Sequence, residues 1–225
     1  TGLDDDENAK EHKTSAYDIA LMSRELLTKH PDIKKFTTIW MDTVRDGTFG
    51  LSNTNKLVLF YSGATGLKTG YTSGAGFCLS ASAEREGMEL IAVVLGCSTS
   101  AERFAACKSM LDHGFATYAL INPQMEDVAS VPVKLGEKKQ VQAVPATESA
   151  LLIEKSQKST ILIRTELEEA VTAPVSKGQR LGTMTVMSGE QVLSQIPLVA
   201  AESVARLSFG DLFLKMLRSL CFDKS

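Results

Sequence analysis

The side chains best suited to chemistry stand together at Lys68-Thr69-Gly70, followed by Tyr71 and Thr72. A lysine ammonium supplies positive charge for a ligand carboxylate and for proton transfer, and the Thr69 hydroxyl can donate to the same carboxylate. Gly70 has no side chain, so a ligand can lie close against the backbone. On a strand edge the segment can pair with an extended peptide, and the Tyr71 N–H is then placed to serve as one half of an oxyanion hole. The tripeptide also arises by chance. Taken alone, it is better read as an exposed lysine before a turn.

The surrounding pattern sets it among strands. Residues 57–61, Leu-Val-Leu-Phe-Tyr, read as a buried strand, and Gly63 and Gly66 punctuate the stretch between that run and Lys68. Residues 75–83 and 88–96 are two further strand candidates, and Glu84-Arg85-Glu86-Gly87 between them suits a tight antiparallel connection. A helix is predicted from about Thr14, with Thr14 or Ser15 as N-cap and Asp18 in its first turn. Tyr17, Ala20, Leu21 and Leu27 fall near one face of it, and His30-Pro31 ends it. A second helix is predicted after the capping-box pattern Thr99-x-x-Glu102. Phe104, Cys107, Leu111 and Phe115 form its apolar stripe, with Gly114 as the expected C-cap. This order predicts one wall of an α+β domain over residues 1–122.

Character changes at Asn122-Pro123. Short runs rich in β-branched residues come next at 128–135, 140–144, 150–153, 160–165, 182–187 and 192–199, broken by Gly136, Pro145, Pro174, Gly178 and Gly189. They predict a small all-β sandwich over residues 123–205, with a structural or spacing role. Residues 206–225 are helical in pattern. Phe209, Leu212, Phe213, Met216, Leu217 and Leu220 repeat at i, i+3, i+4, opposite Asp211, Lys215, Arg218 and Ser219. A helix packed on the β domain explains such a stripe, but one this rich in Phe and Leu also suits binding in the plane of a membrane interface.

Composition narrows the partners. A net charge of −3 over 225 residues, with Lys and Arg scattered, gives no ground for nucleic-acid binding. No apolar run approaches the ~20 residues that span a bilayer. Cys78, Cys97, Cys107 and Cys221 lack the spacing of a metal site, so neither a metal nor another cofactor is expected. The first three read as small buried hydrophobes, with a Cys78–Cys97 bridge left open.

Context turns the tripeptide into a specific signal. K-T-G between strands is one of three motifs, with S-x-x-K and S-x-N, of penicillin-binding proteins and β-lactamases. Gly66-Leu67-Lys68-Thr69-Gly70-Tyr71-Thr72, running on into Ala75-Gly76-Phe77-Cys78-Leu79, closely resembles the serine D-alanyl-D-alanine carboxypeptidases of the low-molecular-mass penicillin-binding class. So do Gly87-Met88-Glu89-Leu90-Ile91-Ala92-Val93-Val94-Leu95-Gly96 and Leu111-Asp112-His113-Gly114-Phe115. Thr1-Gly2-Leu3 and Thr14-Ser15-Ala16-Tyr17-Asp18 resemble the stretch after the family's S-x-N. Ala173-Pro174-Val175 through Leu181-Gly182 resemble its β-rich domain.

The resemblance implies removal of the terminal D-Ala from peptidoglycan pentapeptide stems through a serine acyl-enzyme, with β-lactams acylating the same serine. It assigns Lys68 and the Tyr71 N–H to catalysis, and Thr69, Gly70, Thr72 and Arg103 to substrate binding. Arg103 matches the family arginine that helps hold the terminal carboxylate, although a surface Arg pairing with Glu102 or Asp112 fits the sequence almost as well. The implied location is the outer face of the bacterial cytoplasmic membrane, held there by the C-terminal helix.

One departure outweighs the matches. No Ser stands three residues before a Lys, so S-x-x-K is absent, and Leu51-Ser52-Asn53 does not make S-x-N. Both motifs precede, in the family, the point where this sequence starts, and the expectation is a piece of a longer enzyme that needs its N-terminal segment. Two rivals remain: a non-catalytic wall-binding or scaffolding module, and a class A β-lactamase. Against the second stands the long β-rich sequence after Phe115.

Overall fold

The computed structural model describes residues 13–123, 130–147, 150–211 and 213. The chain forms two compact units, one running through Leu120 and the other starting at Ile121.

The first unit opens with α1 (Ala16–Lys29). Ser15 is its N-cap: the Ser15 Oγ accepts the Asp18 N–H at 3.1 Å while the Asp18 carboxylate accepts the Ser15 N–H at 3.1 Å. The helix stops at His30, as the sequence predicts, and Pro31 opens a short 3₁₀ turn. The buried face differs from the expected one. Ser23 and Leu27 are buried, whereas Tyr17 and Leu21 are exposed. On the buried face the Ser23 hydroxyl meets the Ser80 hydroxyl at 2.8 Å.

A one-turn helix α2 (Lys34–Thr37) and a hairpin of β1 (Met41–Val44) and β2 (Phe49–Ser52) follow. Residues 57–61 are not the expected strand but a one-turn helix, α3 (Leu57–Phe60). The Asn55 side-chain oxygen accepts the Leu57 N–H at 3.2 Å and starts the turn, and the Tyr61 N–H donates to the Leu57 carbonyl at 2.8 Å. Leu57 and Tyr61 are thereby buried one turn apart. A five-residue apolar run carries no periodicity that separates the two outcomes.

Three antiparallel strands come next, in the order β3 (Ala64–Thr72), β4 (Gly76–Arg85), β5 (Met88–Cys97). Glu86 and Gly87, at φ 51° and 77°, make the left-handed two-residue turn that suits the twist of a hairpin. Then α4 (Ser100–Thr117) packs on the sheet through Arg103, Cys107, Leu111 and Phe115. Thr99 caps it by accepting the Glu102 N–H at 3.1 Å. Gly114 is not its C-cap. The helix runs on to Thr117, and a Cβ at position 114 would lie 2.6 Å from the Leu90 side chain, so the glycine lets helix and strand close up. Leu79, Ala81, Ala83, Ala92 and the α4 stripe form one core with Leu57 and Tyr61. Burial pushes the Cys107 thiol up to about 12, which leaves it an inert packing group. Cys78 and Cys97 are half-buried free thiols, without the bridge that the sequence left open.

A short strand β6 (Tyr118–Ile121) leads on from α4. The second unit contains β7 (Ser130–Lys134), β8 (Gln140–Pro145), β9 (Leu151–Glu154), β10 (Ile161–Leu167), β11 (Val171–Thr172), β12 (Arg180–Ser188) and β13 (Gln191–Ala200). Six of these join, among the described residues, in one sheet of order β10-β12-β13-β8-β7-β11. The expected all-β unit has its strands joined in one hydrogen-bonded order, because β13 pairs with β12 along its length and with β8 at its end. Alternate residues of its strands, Val131, Val133, Val141, Ala143, Met184, Ile196 and Leu198, share a core with Val175 and Val204.

Of the expected helix over 209–222, Phe209, Gly210, Asp211 and Phe213 are described and helical. Ser208 accepts the Asp211 N–H at 3.2 Å, and Phe209 and Phe213 are exposed. Leu212, Met216, Leu217 and Leu220 lie outside the described residues. No helix among the described residues is long and apolar enough to cross a membrane.

Candidate active site

Lys68, Thr69 and Gly70 lie in the middle of β3, which is an edge strand of its sheet among the described residues. Register fixes their neighbours: Lys68 faces Ser80, Thr69 faces Leu79, Gly70 faces Cys78 and Tyr71 faces Phe77. The open edge of β3 leaves backbone groups for an extended ligand to pair with. The Lys68 side chain is exposed, and its ammonium donates to the Thr69 carbonyl. Thr69 is buried, and its Oγ1 lies 2.7 Å from the Thr54 Oγ1. Gly70 and Tyr71 are exposed, with the Tyr71 ring 4.3 Å from that of Phe77. The Thr72 hydroxyl oxygen accepts the Ala75 N–H at 3.0 Å and shapes the turn into β4.

Arg103 reaches this strand from the first turn of α4. Its Nη1 donates to the Gly70 carbonyl at 3.0 Å and the Cys78 carbonyl at 3.2 Å. The guanidinium also lies 4.9 Å from the Phe104 ring and 5.4 Å from the Phe77 ring. The side chain is 7% exposed and its Nε has no hydrogen-bond partner. Among the described residues neither Arg103 nor Lys68 forms an ion pair, and the surface pairing of Arg103 with Glu102 or Asp112 does not occur. Glu102 instead accepts the Ser98 N–H at 2.9 Å, and Asp112 binds Lys108 and Tyr61. Two cations without a carboxylate partner and one hydroxyl thus lie on or against one strand, groups of the kind that suit a carboxylate ligand.

Sequence reasoning passed over the loop that braces β3. The Asn55 Nδ2 donates to the Gly66 carbonyl at 2.8 Å, and the Asn53 Nδ2 donates to the Ile39 carbonyl at 2.9 Å. Asn55, 1% exposed, is a fully buried amide that must find partners. Two asparagines flanking a threonine before an apolar run were the available signal, since such side chains bond local backbone.

An antiparallel sheet carrying K-T-G on its edge strand, with a separate β unit following it, is the arrangement that the resemblance to the penicillin-binding class implies. Residues 1–99 match the family model described as D-alanyl-D-alanine carboxypeptidase, and residues 121–206 match that of the penicillin-binding protein 5 C-terminal domain. The D-alanyl-D-alanine carboxypeptidase DacF of Bacillus subtilis is 38% identical over 204 residues, 88% of this chain and 52% of DacF. DacC of Escherichia coli is 30% identical over 87% of this chain and 50% of its own length. Penicillin-binding protein 5 of Haemophilus influenzae superposes with a TM-score of 0.67 at 27% identity, covering 86% of this chain and 57% of that one. The chain belongs to the D-alanyl-D-alanine carboxypeptidase family of low-molecular-mass penicillin-binding proteins. It spans about half the length of the curated relatives it matches.

Proposed function

We propose that this chain forms the K-T-G side of a serine D-alanyl-D-alanine carboxypeptidase, acting with a polypeptide that bears S-x-x-K and S-x-N. The substrate is a peptidoglycan pentapeptide stem laid along the open edge of β3. Its terminal D-Ala carboxylate is held by Lys68 and Thr69, with Arg103 beneath, and Gly70 lets it approach the strand. Thr72 holds the turn into β4. The scissile carbonyl oxygen points at the Tyr71 N–H, where negative charge develops as the serine attacks. The amide C–N bond then breaks, D-Ala leaves with a proton, and water hydrolyses the acyl-serine. Penicillins enter by the same route and acylate the same serine. The reaction takes place outside the cytoplasmic membrane, with the apolar residues Phe209, Leu212, Phe213, Met216, Leu217 and Leu220 of the C-terminal segment holding the protein at the outer face of that membrane.

The observation that carries this reading is the Arg103 guanidinium seated on the Gly70 carbonyl, a buried cation without a carboxylate partner at the K-T-G strand. The test is to join residues 1–225 to an upstream segment bearing S-x-x-K and S-x-N and to measure D-Ala release from a D-Ala-D-Ala peptide. Release together with stable labelling by penicillin is the expected result. A folded, joined protein without either activity would sink the reading and favour a non-catalytic wall-binding module. Fast turnover of penicillin would favour a β-lactamase.

A further inference from the structure

Thr54 stands outside every motif, yet its hydroxyl oxygen is 2.7 Å from that of Thr69. Each of the two hydroxyls has the other as its hydrogen-bond partner among the described residues. Thr54 is held there from both sides. The Asn55 N–H donates to the Asn53 side-chain oxygen at 2.9 Å, and the Asn55 Nδ2 ties the loop to the Gly66 carbonyl of β3 at 2.8 Å.

The geometry carries a proton-placement argument. A hydroxyl has one proton to give and two lone pairs. In a pair 2.7 Å apart, one proton is spent between the two oxygens and the other is free. When Thr54 donates, the Thr69 proton is the free one, and accepting a hydrogen bond strengthens the bond that Thr69 gives. When Thr69 donates, it has no proton left for a ligand. A carboxylate at Thr69 therefore selects the first arrangement.

We infer that Thr54 is a positioning residue, which keeps the Thr69 hydroxyl turned toward the ligand carboxylate and makes the site prefer a free C-terminal carboxylate. This rests on the carboxypeptidase reading of the K-T-G strand. The experiment uses the joined protein and two substrates, a D-Ala-D-Ala peptide and its C-terminal carboxamide. Thr54→Val should lower kcat/KM for the free acid by about tenfold, the upper scale of one neutral hydrogen bond. It should narrow the preference for acid over carboxamide by the same factor. Thr54→Ser should restore the preference, and Thr54→Val should add nothing to Thr69→Val. Thr54→Ala, checked for folding by its melting temperature, guards against a packing effect of valine. An active wild type whose Thr54→Val and Thr54→Ala variants keep the full preference, or lose both substrates equally, overturns the assignment. A wild type inactive on both substrates overturns the carboxypeptidase reading, and the role of Thr54 with it.

Discussion

Arg103 Nη1 lies 3.0 Å from the Gly70 carbonyl oxygen, so a helix residue is fastened to the backbone of the K-T-G strand. The same nitrogen reaches the Cys78 carbonyl on β4, and two aromatic rings cover the guanidinium. One side chain therefore ties α4 to two strands and brings a buried positive charge to the site.

Loss of that tie should be visible without any substrate. Arg103→Ala leaves the Gly70 and Cys78 carbonyls short of a donor and a gap between Phe77 and Phe104. A stability loss of about 2–4 kcal/mol in urea unfolding is expected. Arg103→Lys should recover less than half of it, because an ammonium lacks the planar fork and stacks poorly on rings. Full recovery by lysine would mean that charge alone matters.

Lys68 makes no comparable contribution to the core, being exposed. Lys68→Ala should leave the melting temperature of residues 1–225 within the scatter of surface substitutions. In the joined protein it should depress both D-Ala release and penicillin acylation by about two to three orders of magnitude, as for loss of a charge acting in the transition state. Wild-type acylation by that variant would remove Lys68 from the catalytic machinery.

Tyr61 makes stability depend on pH at the alkaline end. Burial first, then its hydrogen bond to Asp112, pushes the phenol from 10.0 up to about 12. A raised phenol favours the folded state fully below pH 10.0, where the unfolded chain begins to ionise, and that contribution is lost as pH rises through about 12. Phenolate absorbance, taken as the difference between wild type and Tyr61→Phe, should titrate near the raised value. Asp112→Asn should lower it while leaving it above 10.0, since burial is the larger cause. A Tyr61 that titrates at its ordinary value would mean that the Tyr61–Asp112 contact is open in solution.

Sequence alone makes the β4–β5 hairpin and the α4 stripe legible, because each rests on signals within a few residues. Glu86-Gly87 is a turn in any context, and Cys107, Leu111 and Phe115 mark one helix face whatever packs on it. Residues 57–61 mislead because their apolar run has no period, and the Asn55 side chain that starts the helix acts from outside it. On α1 the pattern finds Leu27 but not Ser23, whose partner Ser80 lies 57 positions away in sequence. K-T-G announces the site. Thr54 does not, since its partnership with Thr69 depends on how the loop closes over β3.

At the C-terminus the proposed membrane helix can be tested by truncation. Phe209 is 87% exposed, a large apolar ring in water at the start of the segment. Chains ending at Val204 and at Ser225 should differ in co-sedimentation with anionic liposomes, the longer one partitioning more strongly and losing part of that advantage in high salt. Equal partitioning would show that the segment packs elsewhere.

The strongest test of the division of labour is residues 1–225 by themselves. A serine acyl-transferase needs a nucleophile with an adjacent base, and this sequence holds no S-x-x-K to supply them. The first unit also leaves large apolar side chains in water, among them Tyr17 at 71%, Phe36 and Met41 at 68% and Phe60 at 74%. Exposed apolar side chains of that size fit contact with a covering polypeptide. Labelled penicillin should therefore form no stable adduct with the chain alone, and a dye that fluoresces on apolar surface should bind it. Joining the segment with S-x-x-K and S-x-N should bring adduct formation and dye release together, because one polypeptide supplies both the serine and the cover. Adduct formation by residues 1–225 at an active-site rate would place the nucleophile among the serines of this chain and overturn the division.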